Sequence, residues 1–194
     1  MELGDGIEQG GRVLGTIAIH EFMSLDGVFE DPRWTFDYGF DPRMGAAIGA
    51  ITGSAGAILL GRTTFEMFAP AWSTRTVEDD PGAPFFNDTH KYVVGSREPK
   101  VGWSPSTRLG PYDSDVIRRL KDGMDDAIYV SGSGTLVRAL LRDGLIDDLH
   151  LFVFPVAIGT GRKLWGEDVD PIRLALKGHE AYENGVVHLT YGPA

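Results

Sequence analysis

Three stretches of this chain place glycines, hydroxyl residues and arginines where an apolar run gives way to a polar one. One is Gly132-Ser133-Gly134-Thr135-Leu136, which follows the apolar "AIYV". Another is Gly61-Arg62-Thr63-Thr64 after "AILL", and the third is Ser96-Arg97 after "KYVVG". Such joints suit anion binding. The first N–H groups of a helix have no intrahelical partner and lie at the positive end of its dipole. Glycine removes the Cβ that would hold a phosphate away, and Ser133 and Thr135 add hydroxyl donors. The same glycines also suit a tight turn that needs positive φ and binds nothing.

In an open α/β sheet, ligands bind beyond the carboxyl ends of the strands. Three such ends would offer one ligand a helix dipole, two hydroxyl-rich turns and two arginines. The arginine fork matches a phosphate monoester, so Arg62 and Arg97 would favour the 2′-phosphate of NADP over the bare ribose of NAD. Familiar loops do not account for the joint. "GSGTLV" carries Val137 where a dinucleotide fingerprint needs its third glycine, and no Gly-Lys-Ser/Thr ending marks a P-loop. Ser131 and Thr135 occupy the positions where a hydrolase elbow needs glycine.

The elements that would position these joints are legible from periodicity. Strands are expected at 15–24, 57–61, 91–96 and 127–132, the middle two as short apolar runs buried on both faces. Helices are expected at 41–53, 62–68, 113–123 and 134–144, the last with Leu136, Val137, Leu140 and Leu141 on its apolar face. Residues 72–88 read as a long loop. Further strands are expected at 148–155, near 172–181 and at 185–191. Alternating strands and helices followed by a β-rich tail predict an α/β sheet with antiparallel strands at one edge. Residues 1–14 read as a mobile leader and 15–194 as a single domain.

Bulk properties narrow the function. A net charge of −10 and no Lys/Arg run argue against a nucleic-acid partner. The chain has no cysteine, which removes disulfides, thiolate metal sites and a cysteine nucleophile. Its histidines (20, 90, 150, 179 and 188) are dispersed, so no metal is expected. No signal peptide is recognisable, and "LHLFVFPVAIG" is too short to span a membrane. These features predict a soluble cytoplasmic protein.

"MSLDG" after the first strand, "LLGRTTFEMF", "KYVVGS" and "IYVSGSGTLVRALLRDGLIDDLHLFVFPVAIGTGRKLW", in that order, resemble the dihydrofolate-reductase-like superfamily. The match is closest to the C-terminal reductase domain of the bifunctional riboflavin-biosynthesis deaminase/reductase and its stand-alone relatives, over roughly residues 15–192. The resemblance implies a mixed, mostly parallel eight-stranded sheet flanked by helices, NADPH as hydride donor, a small-molecule substrate and a homodimer. It assigns Gly61, Arg62, Thr63 and Thr64 to the adenosine phosphate side, and Ser96 and Arg97 to the adenine ribose. Gly132, Ser133, Gly134, Thr135 and Leu136 fall on the pyrophosphate loop. The loop 158–165, with Gly161, falls near the substrate.

One departure bears on the substrate. Dihydrofolate reductases carry a buried acid on the helix after the first loop, whereas "DPRMGAAIGAITG" has only Asp41, at its start. The resemblance therefore implies a riboflavin-pathway type of reduction, with a dihydrofolate, pterin or flavin reductase, or a non-catalytic NADP-binding module, as alternatives. The loop Ser24-Leu25-Asp26-Gly27 falls where the superfamily's nicotinamide lies. Asp26 is accordingly the candidate catalytic group, and Ser24 a candidate substrate contact. Trp34 and Tyr38 are candidates for stacking on a planar heterocycle. Arg33, Arg43 or Arg162 would hold a substrate phosphate.

Overall fold

The computed structural model describes residues 15–166 and 171–194, so the expected leader at 1–14 lies outside the described residues. The chain forms strands β1 (Ile17–Ser24), β2 (Ala55–Gly61), β3 (His90–Val94), β4 (Ser106–Gly110), β5 (Ala127–Ser131), β6 (Asp148–Phe154), β7 (Leu174–Ala181) and β8 (Val187–Pro193). They form one eight-stranded sheet in the order β4-β3-β2-β5-β1-β6-β8-β7. All pairings from β4 across to β6 are parallel, and β8 pairs antiparallel with both β6 and β7. The sheet is mixed, mostly parallel and antiparallel at its C-terminal edge.

Helices α1 (Pro42–Gly53), α2 (Arg62–Trp72), α3 (Ala83–Asp88), α4 (Ser114–Asp122) and α5 (Gly134–Arg142) connect the strands. Side chains alternate across a strand, so the central strands feed two cores. Ile17, Ile19, Leu59, Ile128 and Val130 meet Ile117 of α4 and Val137 and Leu140 of α5. Ala18, Ile58, Leu60, Tyr129 and Phe152 meet Met44 and Ile51 of α1, Phe65 and Ala69 of α2, and Phe86 of α3. Leu136, Val137, Leu140 and Leu141 are buried on α5, as the helical spacing requires.

Two elements depart from the sequence expectation. The stretch read as a loop at 72–88 contains the end of α2 and the whole of α3. Lys91, buried on β3, stabilises α3 by donating from Nζ to the carbonyls of Phe86 (2.8 Å) and Asn87 (2.9 Å). Burial pushes that ammonium down to about 8, against the pull of Asp88. The second is β4, which is too polar and exposed to show a strand pattern and exists because β3 offers it an edge.

Candidate functional site

Because β1, β2, β3 and β5 run parallel, their carboxyl ends meet at one rim. There they enclose a cleft of about 460 Å³, in the size range of small-molecule sites. Gly61, Arg62, Thr63 and Thr64 line it from the β2–α2 joint, and Gly132 through Leu136 from the β5–α5 joint. Ser96 lines it from beyond β3. The three separated joints of the sequence thus become one surface.

The two joints are tied to each other. Ser133 donates its backbone N–H to Thr64 Oγ1 at 2.9 Å, and Ser133 Oγ accepts the N–H of Gly61 at 2.9 Å. Ser133 therefore spends its hydroxyl acceptor and its amide on the neighbouring turn. It does so in the left-handed region, at φ 52, where a non-glycine residue is strained. Neither α2 nor α5 has a side-chain cap at its N-terminus, so the first N–H groups of both helices face the cleft without one.

The glycines of the joint have separate causes. Gly132 sits at φ +62, and a Cβ there would come within 2.9 Å of Thr64 Cγ2. Gly134 makes room for the ring of Phe29, which a Cβ would strike. At the next strand end, a Cβ on Gly95 would stand 2.7 Å from Arg62 Cβ. Gly95 thus lets the Arg62 stem cross the end of β3.

Arg62 is held in place by Glu66, one helical turn on, at 2.7 Å; the other Glu66 oxygen accepts the Lys100 N–H at 2.8 Å. Arg97, next to Ser96, is exposed and stands outside the cleft lining. Of the arginines considered for a substrate phosphate, Arg162 lines the cleft and is paired with Glu30 at 2.7 Å. Arg33 pairs with Asp31 in solvent, and Arg43 faces Glu180 and the ring of Tyr182. Arg138, one turn into α5, also lines the cleft and donates to the carbonyls of Lys163 (3.3 Å) and Leu164 (3.1 Å).

The residues expected at the reaction centre make contacts of their own outside the cleft lining. Asp26 Oδ1 accepts from Ser24 Oγ (2.7 Å) and from the Ile158 N–H (3.0 Å), and Oδ2 accepts from the Gly159 N–H (2.8 Å). These bonds, that of Ser24 foremost, hold its carboxyl down at about 2. Asp26 therefore clamps the 158–165 loop against the loop after β1, and it does not line the cleft. Ser24 is fully buried and also accepts the Val28 N–H, so it supports this clamp. Trp34 and Tyr38 pack edge-on against Phe154 and stay outside the lining. Gly161 takes φ +110 in the clamped loop, where its neighbour Arg162 reaches the cleft. Asp41 caps α1 and also accepts the Glu183 N–H at 2.9 Å, so the α1 acid is committed to structure.

Sequence reasoning missed Glu21. It lies on β1, is 3% exposed, and lines the cleft. Burial pushes its carboxyl well above the usual carboxylate range, opposed by a hydrogen bond from the Gly132 backbone. One acid inside an apolar strand gives no spacing signal; only its isolation among "IAIH" and "FMS" marked it out. Dispersed histidines also come together. His20 Nδ1 meets the Tyr129 hydroxyl at 2.7 Å, and His150 Nδ1 meets His188 Nε2 at 3.0 Å. Burial brings His20 down to about 3, with a further push from His150 and His188.

The family model for the RibD C-terminal domain matches residues 16–103 and 113–188. The chain belongs to that family. Among curated proteins it is similar to uncharacterized protein YyaP of Bacillus subtilis (strain 168), at 22% identity over 173 residues, covering 87% of this chain and 90% of YyaP. Among solved structures it resembles the diaminohydroxyphosphoribosylaminopyrimidine deaminase/5-amino-6-(5-phosphoribosylamino)uracil reductase of Thermotoga maritima. That match has a TM-score of 0.66 at 15% identity and covers 93% of this chain and 57% of that one. It also resembles dihydrofolate reductase from Enterococcus faecalis complexed with NADP(H), with a TM-score of 0.57 at 14% identity, covering 92% of this chain and 96% of that one. At these identities the structural likenesses carry the fold. A RibD C-terminal domain is a reductase-type domain, so the chain's class is that of an oxidoreductase.

Proposed function

We propose that this RibD C-terminal domain protein is an NADPH-dependent reductase of a small heterocyclic or sugar-phosphate substrate, most like 5-amino-6-(5-phosphoribosylamino)uracil reductase. The observation that carries the reading is the convergence of two uncapped helix N-termini on one cleft, with Arg62 at the head of α2. That donor set fits a dinucleotide phosphate. The N–H groups of Gly134, Thr135 and Leu136 would hold the pyrophosphate, and Arg62, Thr63 and Ser96 the 2′-phosphate. When bound, the reduced nicotinamide supplies a hydride. The protein contributes position, a partly dry cleft and charge placement. Phe22, Phe29 and Met67 line the cleft with apolar surface suited to flat rings. Commitment of Asp41 to the α1 cap favours this reading over folate reduction.

Calorimetric titration with NADPH and NADH tests the assignment. Wild-type protein is expected to bind NADPH the more tightly. Loss of a hydrogen bond to a charged group costs about 1.5–3 kcal/mol, so Arg62→Ala should weaken NADPH by roughly 10- to 100-fold. The same variant should leave NADH nearly unchanged. Glu66, freed from its ion pair, adds repulsion against the phosphate in the same direction. Equal losses for both nucleotides would overturn the 2′-phosphate role, and no binding of either would overturn the reductase reading.

A further inference from the structure

Three carboxyls line the cleft: Glu21, Glu30 and Asp31. Glu30 is paired with Arg162 and Asp31 with Arg33. Glu21 has no cationic partner among the described residues. The cations of the cleft are all engaged elsewhere: Arg62 with Glu66, Arg162 with Glu30, and Arg138 with two backbone carbonyls. Glu21 Oε1 is sealed from solvent with no hydrogen-bond partner. Burial without a counter-charge favours the neutral acid, because desolvation penalises the ionised form far more, although the Gly132 backbone hydrogen bond pulls the other way. Buried polar atoms are almost always satisfied, so this exception calls for a reason.

Its place in the sheet supplies one. β1 pairs with β5 so that His20 stands opposite Ser131, which sets Glu21 level with Gly132, the first residue of the joint. Glu21 thus lines the cleft beside the β5–α5 turn. Reducing a C=N, C=C or C=O bond adds a hydride to one atom and a proton to the other. The reduced nicotinamide of the proposed function accounts for the hydride and leaves the proton without a source. Resting on that reading, we propose that Glu21 is the acid that gives the substrate its proton. The Glu21 O–H bond breaks, and the proton goes to the substrate atom left holding the electron pair. The carboxylate then takes a proton from bulk water once product has left. The balance is one reduced nicotinamide and one proton consumed per bond reduced. Glu21 is then a catalytic residue, and Asp26 positions the loops around it.

Full-length wild-type, Glu21→Gln and Glu21→Asp proteins decide the matter. Infrared difference spectra at pH 7 should show a protonated-carboxyl C=O band in wild type that is missing from Glu21→Gln. NADPH titration should give dissociation constants within about twofold for wild type and Glu21→Gln, since the amide mimics the neutral acid in size and charge. With 5-amino-6-(5-phosphoribosylamino)uracil as acceptor, Glu21→Gln should lose about 10²- to 10⁴-fold in kcat, the range of a general acid. Glu21→Asp, which retains an acid, should keep more of it. Absence of the carboxyl band, or full kcat in Glu21→Gln, overturns the proposal. Failure of NADPH to bind wild type removes instead the reductase reading and the hydride that this role presupposes. The infrared band reads the Glu21 proton whether or not nucleotide binds, so the two failures are distinguishable.

Discussion

Thr64→Val removes one oxygen from the contact that joins the two turns of the cleft. Thr64 is buried, and its Oγ1 accepts the Ser133 N–H at 2.9 Å. Valine keeps the shape and the methyl that packs against Gly132, so the change isolates the hydrogen bond. The Ser133 N–H, partly buried between the turns, would then lack an acceptor, at a cost of about 1–3 kcal/mol. The bond also restrains Ser133 at φ 52, where the left-handed backbone costs about 1–2 kcal/mol. Urea unfolding of Thr64→Val should therefore show a loss of about 1–3 kcal/mol. To the extent that the turn loosens locally, the same energy appears as weaker NADPH binding, tenfold for each ~1.4 kcal/mol. Combined with Ser133→Ala, which removes the acceptor for Gly61, the double mutant should show a coupling of about 0.5–3 kcal/mol. A Thr64→Val protein within about 0.5 kcal/mol of wild type, the range of a neutral surface change, and with unaltered NADPH affinity would refute the idea that these bonds set the cleft's shape.

Two further expectations concern pH and the loop clamp. His20 titrates near 3 in the folded protein against an ordinary 6.5, so below pH 6.5 the unfolded chain takes up a proton that the native state refuses. Its contribution is intact above 6.5 and declines as pH falls toward 3, amounting to about 2 kcal/mol lost at pH 5. Glu21, held above the carboxylate range, works in the opposite sense, stabilising the fold as pH falls. The informative quantity is thus the pH slope of wild type minus that of His20→Leu by urea unfolding; identical slopes between pH 7 and 5 would contradict the burial argument. Asp26→Asn should speed amide hydrogen exchange at Ile158 and Gly159, whose N–H groups the carboxylate holds. Unchanged protection at both amides would show that the clamp does not depend on that charge. Because the Asp26 carboxyl is lowered to about 2 from 3.8, its contribution is present above pH 3.8 and is lost as pH falls through 2.

Local patterns determined much of this protein without help. The apolar run at 57–61 had to be buried on both faces, and the Leu136/Val137/Leu140/Leu141 spacing had to lie against a sheet. The glycine, threonine and arginine residues at the strand ends marked the joints because turns and helix starts draw their chemistry from neighbouring residues. Tertiary structure decided what depends on distant partners. Helix α3 owes its C-terminal bonds to Lys91, and β4 exists because β3 leaves an edge for it. Asp26, in a loop full of turn signals, was the more conspicuous acid, yet backbone amides 132 and 133 residues away claim its oxygens. Glu21 gave little signal in its strand, since a strand's own pattern cannot tell whether an inward side chain meets packing or a cleft. The pairing of β1 with β5 settles that by bringing Gly132 level with it. Chemistry at a sheet's rim is assembled from strand ends far apart in the chain, and only the strand order brings those ends together.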